Sequence, residues 1–281
     1  MNTSPKAAGG HLKAVVFDWA GTVIDFGSRA PMGVFVKAFE HFGIELSIAQ
    51  ARGPMGMAKR DHIAALMALP PVAQAWTQRH GHPPGPADID AVYAIFIPMN
   101  VAVAAEHAGL IPGAAEVVAG LRARGLKIGS TTGYTREIMA PVLPIAAAAG
   151  YAPDNLVCAG DLAEGRPGPL MMYRCFTDLG VYPPHAVVKV DDTTPGIAEG
   201  LAAGTWTVGV TASGNEVGLS LAEWSALSRE SQAQRIEVAA RVLTGAGAHY
   251  LIDSIADLPP VLEAIEQRLA AGERPPTPPA V

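Results

Sequence analysis

Residues 12–25 read LKAVVFDWAGTVID. The first six form a short apolar, β-branched run that ends at Asp18, and Gly21 and Thr22 follow at a turn. A continuous apolar run of this length predicts a strand buried on both faces, so Asp18 is expected at the strand's carboxyl end. Similar runs recur at 126–131 (LKIGST), 155–160 (NLVCAG), 186–190 (AVVKV) and 206–210 (WTVGV). Helical stretches separate them at 113–124, 135–149, 168–179 and 195–203. Apolar strands alternating with helices predict an α/β fold built on a doubly wound parallel sheet. Sites in such sheets lie at the carboxyl ends of the strands.

About 110 residues lie between the first and second strands, far more than one crossover needs. They carry no strand signal but several helix-like runs, around 31–42, 46–52, 57–69, 71–79 and 88–105. The economical reading is an inserted helical cap domain over 27–107, entered near Phe26–Pro31 and left near His107–Pro112. The catalytic core is then 1–26 plus 108–272. The start, MNTSPKAAGGHLK, reads as a flexible lead-in without a signal peptide's apolar centre, and the proline-rich 273–281 as a disordered tail.

Composition narrows the function classes. The 281 residues include 20 Lys+Arg against 26 Asp+Glu, a net charge of −6 with no basic block, so neither nucleic acid nor an anionic membrane is an expected partner. The longest stretches free of charged residues and histidine, 91–105 and 138–153, are shorter than the roughly 20 residues of a spanning helix and contain prolines. Two cysteines, Cys158 and Cys175, cannot build a disulfide framework, which suits a reducing cytoplasm. Trp19, Trp206 and Cys175 read as core residues, and the histidines other than His62 show no metal-ligand spacing.

The remaining strand ends carry chemistry. STTGY (130–134) offers a hydroxyl and a glycine N–H for phosphate oxygens. GRPGP (165–169) supplies a cation before a helix, and KVDDTTPG (189–196) places two adjacent carboxylates at the fourth strand end. Neighbouring side chains there diverge, so one is expected to face the site and the other to pack or cap. Singly, each has a bland reading: a turn aspartate, a helix N-cap, a surface arginine.

In order, these sites resemble the motifs of the haloacid dehalogenase superfamily: nucleophilic Asp, Ser/Thr, Lys/Arg, metal-binding acid. Within it, AVVFDWAGTVIDFGSRAP, ARGPMGMAKRDH and KIGSTTGYTRE resemble the phosphonoacetaldehyde hydrolase (phosphonatase) family, from about Lys13 to Leu262. The resemblance implies cleavage of the P–C bond of phosphonoacetaldehyde to acetaldehyde and orthophosphate, as in degradation of 2-aminoethylphosphonate. It also implies Mg²⁺ and a homodimer formed through the cap. It assigns Asp18 as nucleophile and Lys59 as the lysine that forms a Schiff base with the aldehyde. His62, at i+3 from Lys59, is expected to relay protons. Thr132, Gly133, Tyr134, Arg166 and Met55 are assigned to substrate and phosphate, and Asp18, the Ala20 carbonyl and Asp192 to the metal.

One position separates this chemistry from ester hydrolysis. Phosphatases of this type commonly keep a general acid two residues after the nucleophile, where this chain has Ala20. A P–C bond leaves a carbanion, which needs an electron sink, and an iminium at a lysine supplies one. Two departures from the family pattern stand out: Gly196 where a further metal-supporting Asp is common, and Ser28 where some relatives carry Cys. The alternatives are a Mg²⁺-dependent phosphate-monoester phosphatase, discriminated by ester turnover, and an inactive phosphate-binding module, discriminated by phosphate release.

Overall fold

The computed structural model describes residues 10–276. Six parallel strands form one sheet: β1 (Ala14–Phe17), β2 (Lys127–Thr132), β3 (Val157–Cys158), β4 (Val187–Asp191), β5 (Trp206–Val210) and β6 (Tyr250–Ile252). Their order is β3-β2-β1-β4-β5-β6, so the chain reverses direction of travel at β1 and β4. That reversal opens the crevice in which doubly wound sheets bind ligands. Phe17 pairs with Ser130 on one side and Val190 on the other, which brings three strand ends level.

β1, β4 and β5 are buried along their whole length because both faces of the sheet are covered. Val15 and Phe17 face one hydrophobic cluster with Ile128, Val188 and Trp206, while Ala14 and Val16 face another with Met171, Met172 and Cys175. Around the sheet lie α6 (Ala114–Ala123), α7 (Arg136–Ala148), α8 (Leu170–Leu179), α9 (Thr194–Ala202), α10 (Leu221–Ala226), α11 (Arg229–Gly245) and α12 (Leu258–Ala270).

Five further helices fall between β1 and β2: α1 (Ala30–His41), α2 (Ile48–Arg52), α3 (Lys59–Met67), α4 (Pro70–His80) and α5 (Pro86–Ala104). They enclose a hydrophobic cluster of their own, including Phe35, Phe39, Ile63, Trp76 and Phe96. Both connectors run past Asp25. Its Oδ2 accepts from Ala30 N at 2.8 Å and its Oδ1 lies 3.1 Å from His107 Nδ1. That contact raises the His107 pKa above its ordinary value.

Three details depart from the sequence reading. With the short 3₁₀ turn that follows it, α5 makes a helix of 22 residues through Pro98, longer than the charge-free stretch inside it, and an 18-residue part of it has a mean hydropathy of 1.5, long and apolar enough to cross a membrane by length and composition alone. Here it packs against α1, α3 and α7 with Val92, Phe96, Asn100 and Ala104 buried. Residues 10–13 of the expected lead-in lie against α12, where Leu12 N donates to Glu266 Oε2 at 2.8 Å. Residues 273–276 of the expected tail also make contacts, among them Arg268 Nε to Glu273 Oε2 at 2.7 Å. Residues 1–9 and 277–281 lie outside the described residues.

Candidate active site

Asp18 leaves β1 with its N–H donating to Val190 O at 3.0 Å, which fixes its carboxylate beside the end of β4. Arg166 Nη2 lies 2.8 Å from Asp18 Oδ1 and 3.3 Å from Asp191 Oδ2, and Arg166 Nε lies 3.0 Å from Glu199 Oε2. Lys189 Nζ lies 3.1 Å from both Asp191 Oδ2 and Glu199 Oε2, and donates to Thr131 Oγ1 at 2.6 Å. All these groups are buried. Burial, reinforced by Asp191, pushes the Asp18 carboxyl up to about 6, against the pull of Arg166. Asp191 behaves oppositely: burial would raise it, but Arg166, Lys189 and the Thr193 hydroxyl hold it below the usual carboxylate range.

Asp192 turns away from these cations. Its Oδ2 accepts from Asn215 N at 2.8 Å and its Oδ1 from Thr22 Oγ1 at 3.2 Å. Burial, then the charges of Asp18 and Asp191, raise its pKa well above the ordinary value. Asp18, Asp191 and Asp192 can each bring one oxygen within 4.8 Å of the others. An all-oxygen set of buried carboxylates, of which Asp192 is in no ion pair among the described residues, is the donor chemistry of a hard divalent cation. The two adjacent acids therefore both reach the site, Asp191 paired with the arginine and lysine and Asp192 held by Asn215 and Thr22.

Gly196 has a local cause. A Cβ there would lie 1.9 Å from Asp191 Oδ2, so the Asp191 carboxylate occupies the space a side chain at 196 would take. Asp191→Asn is expected to cost about 3 kcal/mol of folding stability in urea titrations, because it leaves buried Arg166 and Lys189 short of a counter-charge. Asp192→Asn is expected to keep wild-type stability and lose divalent-cation affinity measured by calorimetry.

Helix α3 delivers Lys59 into the same crevice. The PMG turn, 54–56, precedes it and lies directly on the core: a Cβ on Gly56, at φ +90, would meet Thr193 Oγ1 at 2.2 Å, and one on Gly133 would meet Met57 O at 2.7 Å. At Gly133 the two surfaces touch backbone to backbone, and at Gly56 backbone meets a buried side chain, approaches for which glycine leaves room. Lys59 is 3% exposed, with Nζ 3.9 Å from Met55 Sδ, 5.1 Å from the Tyr134 ring centroid and 5.8 Å from that of Phe35. Among the described residues no carboxylate lies within ion-pair distance of it. Burial lowers its pKa to about 8, with Asp18 pulling the other way.

A cavity of about 20 Å³ is lined by Asp18, Ala20, Met55, Lys59, Thr132 and Arg166, with Gly133, Tyr134 and Ser28 completing its wall. That is room for about one water. A wider cleft of about 660 Å³ reaches Lys59 and Arg166 from outside, between α3 and the 159–168 loop. His62 does not line the cavity. Its Nε2 donates to Ala51 O at 2.8 Å, its ring packs 3.9 Å from Phe35, and its Nδ1 is buried without a hydrogen-bond partner. Burial and then the Lys59 charge push its pKa well down, so it is neutral. Sequence reasoning missed Thr22, Thr131, Lys189, Glu199 and Asn215. Lys189 carried a readable signal, being a charge inside an otherwise apolar strand.

Residues 12–204 match the haloacid dehalogenase-like hydrolases. The phosphonoacetaldehyde hydrolase of Paraburkholderia xenovorans strain LB400 is 59% identical over 265 residues, 94% of this chain and 99% of that protein. The chain belongs to the phosphonoacetaldehyde hydrolase family. Another member, from Vibrio cholerae, is 51% identical over 266 residues, covering 94% of this chain and 98% of its own. The crystal structure of a phosphonoacetaldehyde hydrolase-like protein from Oleispira antarctica superposes with a TM-score of 0.93 at 44% identity, covering 98% of this chain and all of that one. For a phosphonoacetaldehyde hydrolase family member, the crevice between β1 and β4 is the place where the fold puts its ligand.

Proposed function

We propose that the chain hydrolyses the P–C bond of phosphonoacetaldehyde, giving acetaldehyde and orthophosphate, with Lys59 and Asp18 as its two nucleophiles. The observation that carries this reading is a buried amine, without a carboxylate partner among the described residues, sharing one small cavity with Asp18 where Ala20 offers no acid. Four buried carboxylates, Asp18, Asp191, Asp192 and Glu199, face three buried cations, Arg166, Lys189 and Lys59. A dianionic substrate therefore needs further positive charge. Asp18, Asp192 and the Ala20 carbonyl would hold Mg²⁺, which supplies that charge to the phosphoryl oxygens when bound.

The neutral Lys59 amine condenses with the aldehyde, and uptake of one proton from solvent with loss of water leaves an iminium one carbon from the P–C bond. Asp18 attacks phosphorus, and the electrons of the breaking bond move into the iminium to give an enamine. Protonation and hydrolysis of the enamine release acetaldehyde and restore the amine. Water then hydrolyses the aspartyl phosphate. Arg166 holds the Asp18 carboxylate in place and balances charge near it, and the Thr132 hydroxyl and Gly133 N–H hold the phosphoryl group. Tyr134 and Met55 wall the lysine and keep water from it. His62 is proposed to relay protons during imine formation, its buried Nδ1 having no hydrogen-bond partner.

A cavity with room for about one water cannot admit the substrate, so the helices between residues 27 and 107 are proposed to act as a cap that opens and closes on the connectors at Asp25 and His107. The incompletely covered apolar surface of α5 supports a homodimer formed through this cap, testable by sedimentation. The proposed setting is the cytoplasm, with a small phosphonate as substrate and neither nucleic acid nor membrane as partner.

The direct test is phosphonoacetaldehyde turnover with Mg²⁺ present and then chelated. Turnover is expected only with the metal. Simple phosphate esters are expected to react at least 10²-fold more slowly, since general-acid help is typically worth about 10²–10⁴-fold. Efficient hydrolysis of sugar phosphates would favour a phosphatase instead. Gly133→Ala, which drives a Cβ into Met57 O, is expected to lower kcat/KM by about 10²-fold by displacing the cap.

A further inference from the structure

The helical insert meets the core at a second point, away from the cavity. Arg52 ends α2, three residues before Met55 and seven before Lys59. Its Nη1 donates to Gly27 O at 3.1 Å, to Asn215 O at 3.0 Å and to Asn215 Oδ1 at 3.2 Å, and its Nη2 to Gly218 O at 2.9 Å. All four acceptors are neutral oxygens. A planar guanidinium can bridge such a spread of acceptors, whereas a lysine ammonium is a single point. The fork ties α2 to the first connector, at Gly27, and to the core loop 213–219.

That loop also supports the metal-site carboxylate. Asn215 N donates to Asp192 Oδ2 at 2.8 Å, and Ser213 Oγ donates to Gly21 O at 2.9 Å. Gly27 N donates to Ser213 O at 2.7 Å. The fit leaves no space: a Cβ on Gly218, at φ +66, would lie 2.4 Å from Arg52 Cζ, and one on Gly27, at φ +88, would lie 2.1 Å from Leu219 O. One residue, Asn215, thus receives Arg52 on its carbonyl and its side chain while presenting its amide to Asp192.

We infer that Arg52 is a positioning residue, a latch that couples closure of the cap to the placement of Asp192. The inference rests on the reading in which the cap opens to admit substrate. Opening withdraws the guanidinium from the 213–219 loop and frees Asn215, and closing restores both contacts. The carboxylate is therefore held in its working position only while Lys59 is also over the cavity.

Arg52→Lys keeps the charge and loses the fork. In metal-free protein, amide hydrogen exchange at Asn215 and its loop neighbours is expected to quicken about tenfold, with β1 and β4 unchanged. KM for phosphonoacetaldehyde is expected to rise about tenfold with kcat within threefold of wild type, because saturating substrate restores the closed state whose population the variant has lowered. Arg52→Ala is expected to show the same pattern, with part of the KM loss recovered in millimolar guanidinium. Unchanged exchange in 213–219, or a fall in kcat at constant KM, would overturn the latch. If wild type does not turn over phosphonoacetaldehyde, the functional reading fails, and the exchange experiment still decides the latch.

Discussion

Lys59→Arg is expected to lower kcat/KM for phosphonoacetaldehyde by on the order of 10⁴-fold, the scale on which loss of a covalent nucleophile is felt. The charge is kept, but a guanidinium cannot form the imine. Lys59 suits the role because burial brings its pKa to about 8. At pH 7 about a tenth of such an amine is neutral, against roughly one in three thousand for an ordinary lysine. The sign follows directly: imine formation rises with pH, about tenfold per unit, and levels off above about 8. A rate of imine formation flat between pH 6 and 8 would remove the neutral amine from the mechanism.

Asp18→Asn is expected to abolish phosphate release, by at least about 10⁴-fold, while sparing the earlier carbon chemistry. The amide cannot attack phosphorus, yet it fills the same space beside Arg166. Imine formation at Lys59 precedes attack, so the variant should still accumulate the Schiff base. A variant that loses both steps would mean that Asp18 positions the lysine rather than attacks phosphorus.

The strands that carry the site were legible because each is a short, continuous apolar run, and the polar residue that ends each run stands out. The first five strands and the helices between them follow from that pattern. Strand β6 does not: it is the three residues YLI, too short an apolar run to mark a strand, and only Ile252 is buried. Helix α11 is similarly hidden, since only Ala239 and Leu243 of its 17 residues are buried. At the site, strand ends pointed to Asp18, to the STTGY turn and to the Asp191–Asp192 pair, and Arg166 stood out as a cation before a helix; the choice of Asp192 and of Lys59 came from resemblance. Thr22, Asn215 and Glu199 escaped because they reach the site through side-chain hydrogen bonds and contacts from a turn, a loop and a helix interior, where no periodicity marks them. The partition of Asp191 and Asp192 was half legible. Adjacent side chains diverge, but which one takes the cations depends on where Arg166 and Lys189 lie in space.

Borohydride added during turnover, followed by peptide mapping, tests the central claim most directly. Reduction of the imine should fix a two-carbon adduct on the protein and stop turnover. An adduct is expected on the peptide carrying Lys59, ethyl once the P–C bond has broken and phosphonoethyl in Asp18→Asn, where it cannot break, with none in Lys59→Arg. An adduct on Lys13, Lys127 or Lys189 instead, or full activity after borohydride with substrate present, would contradict it.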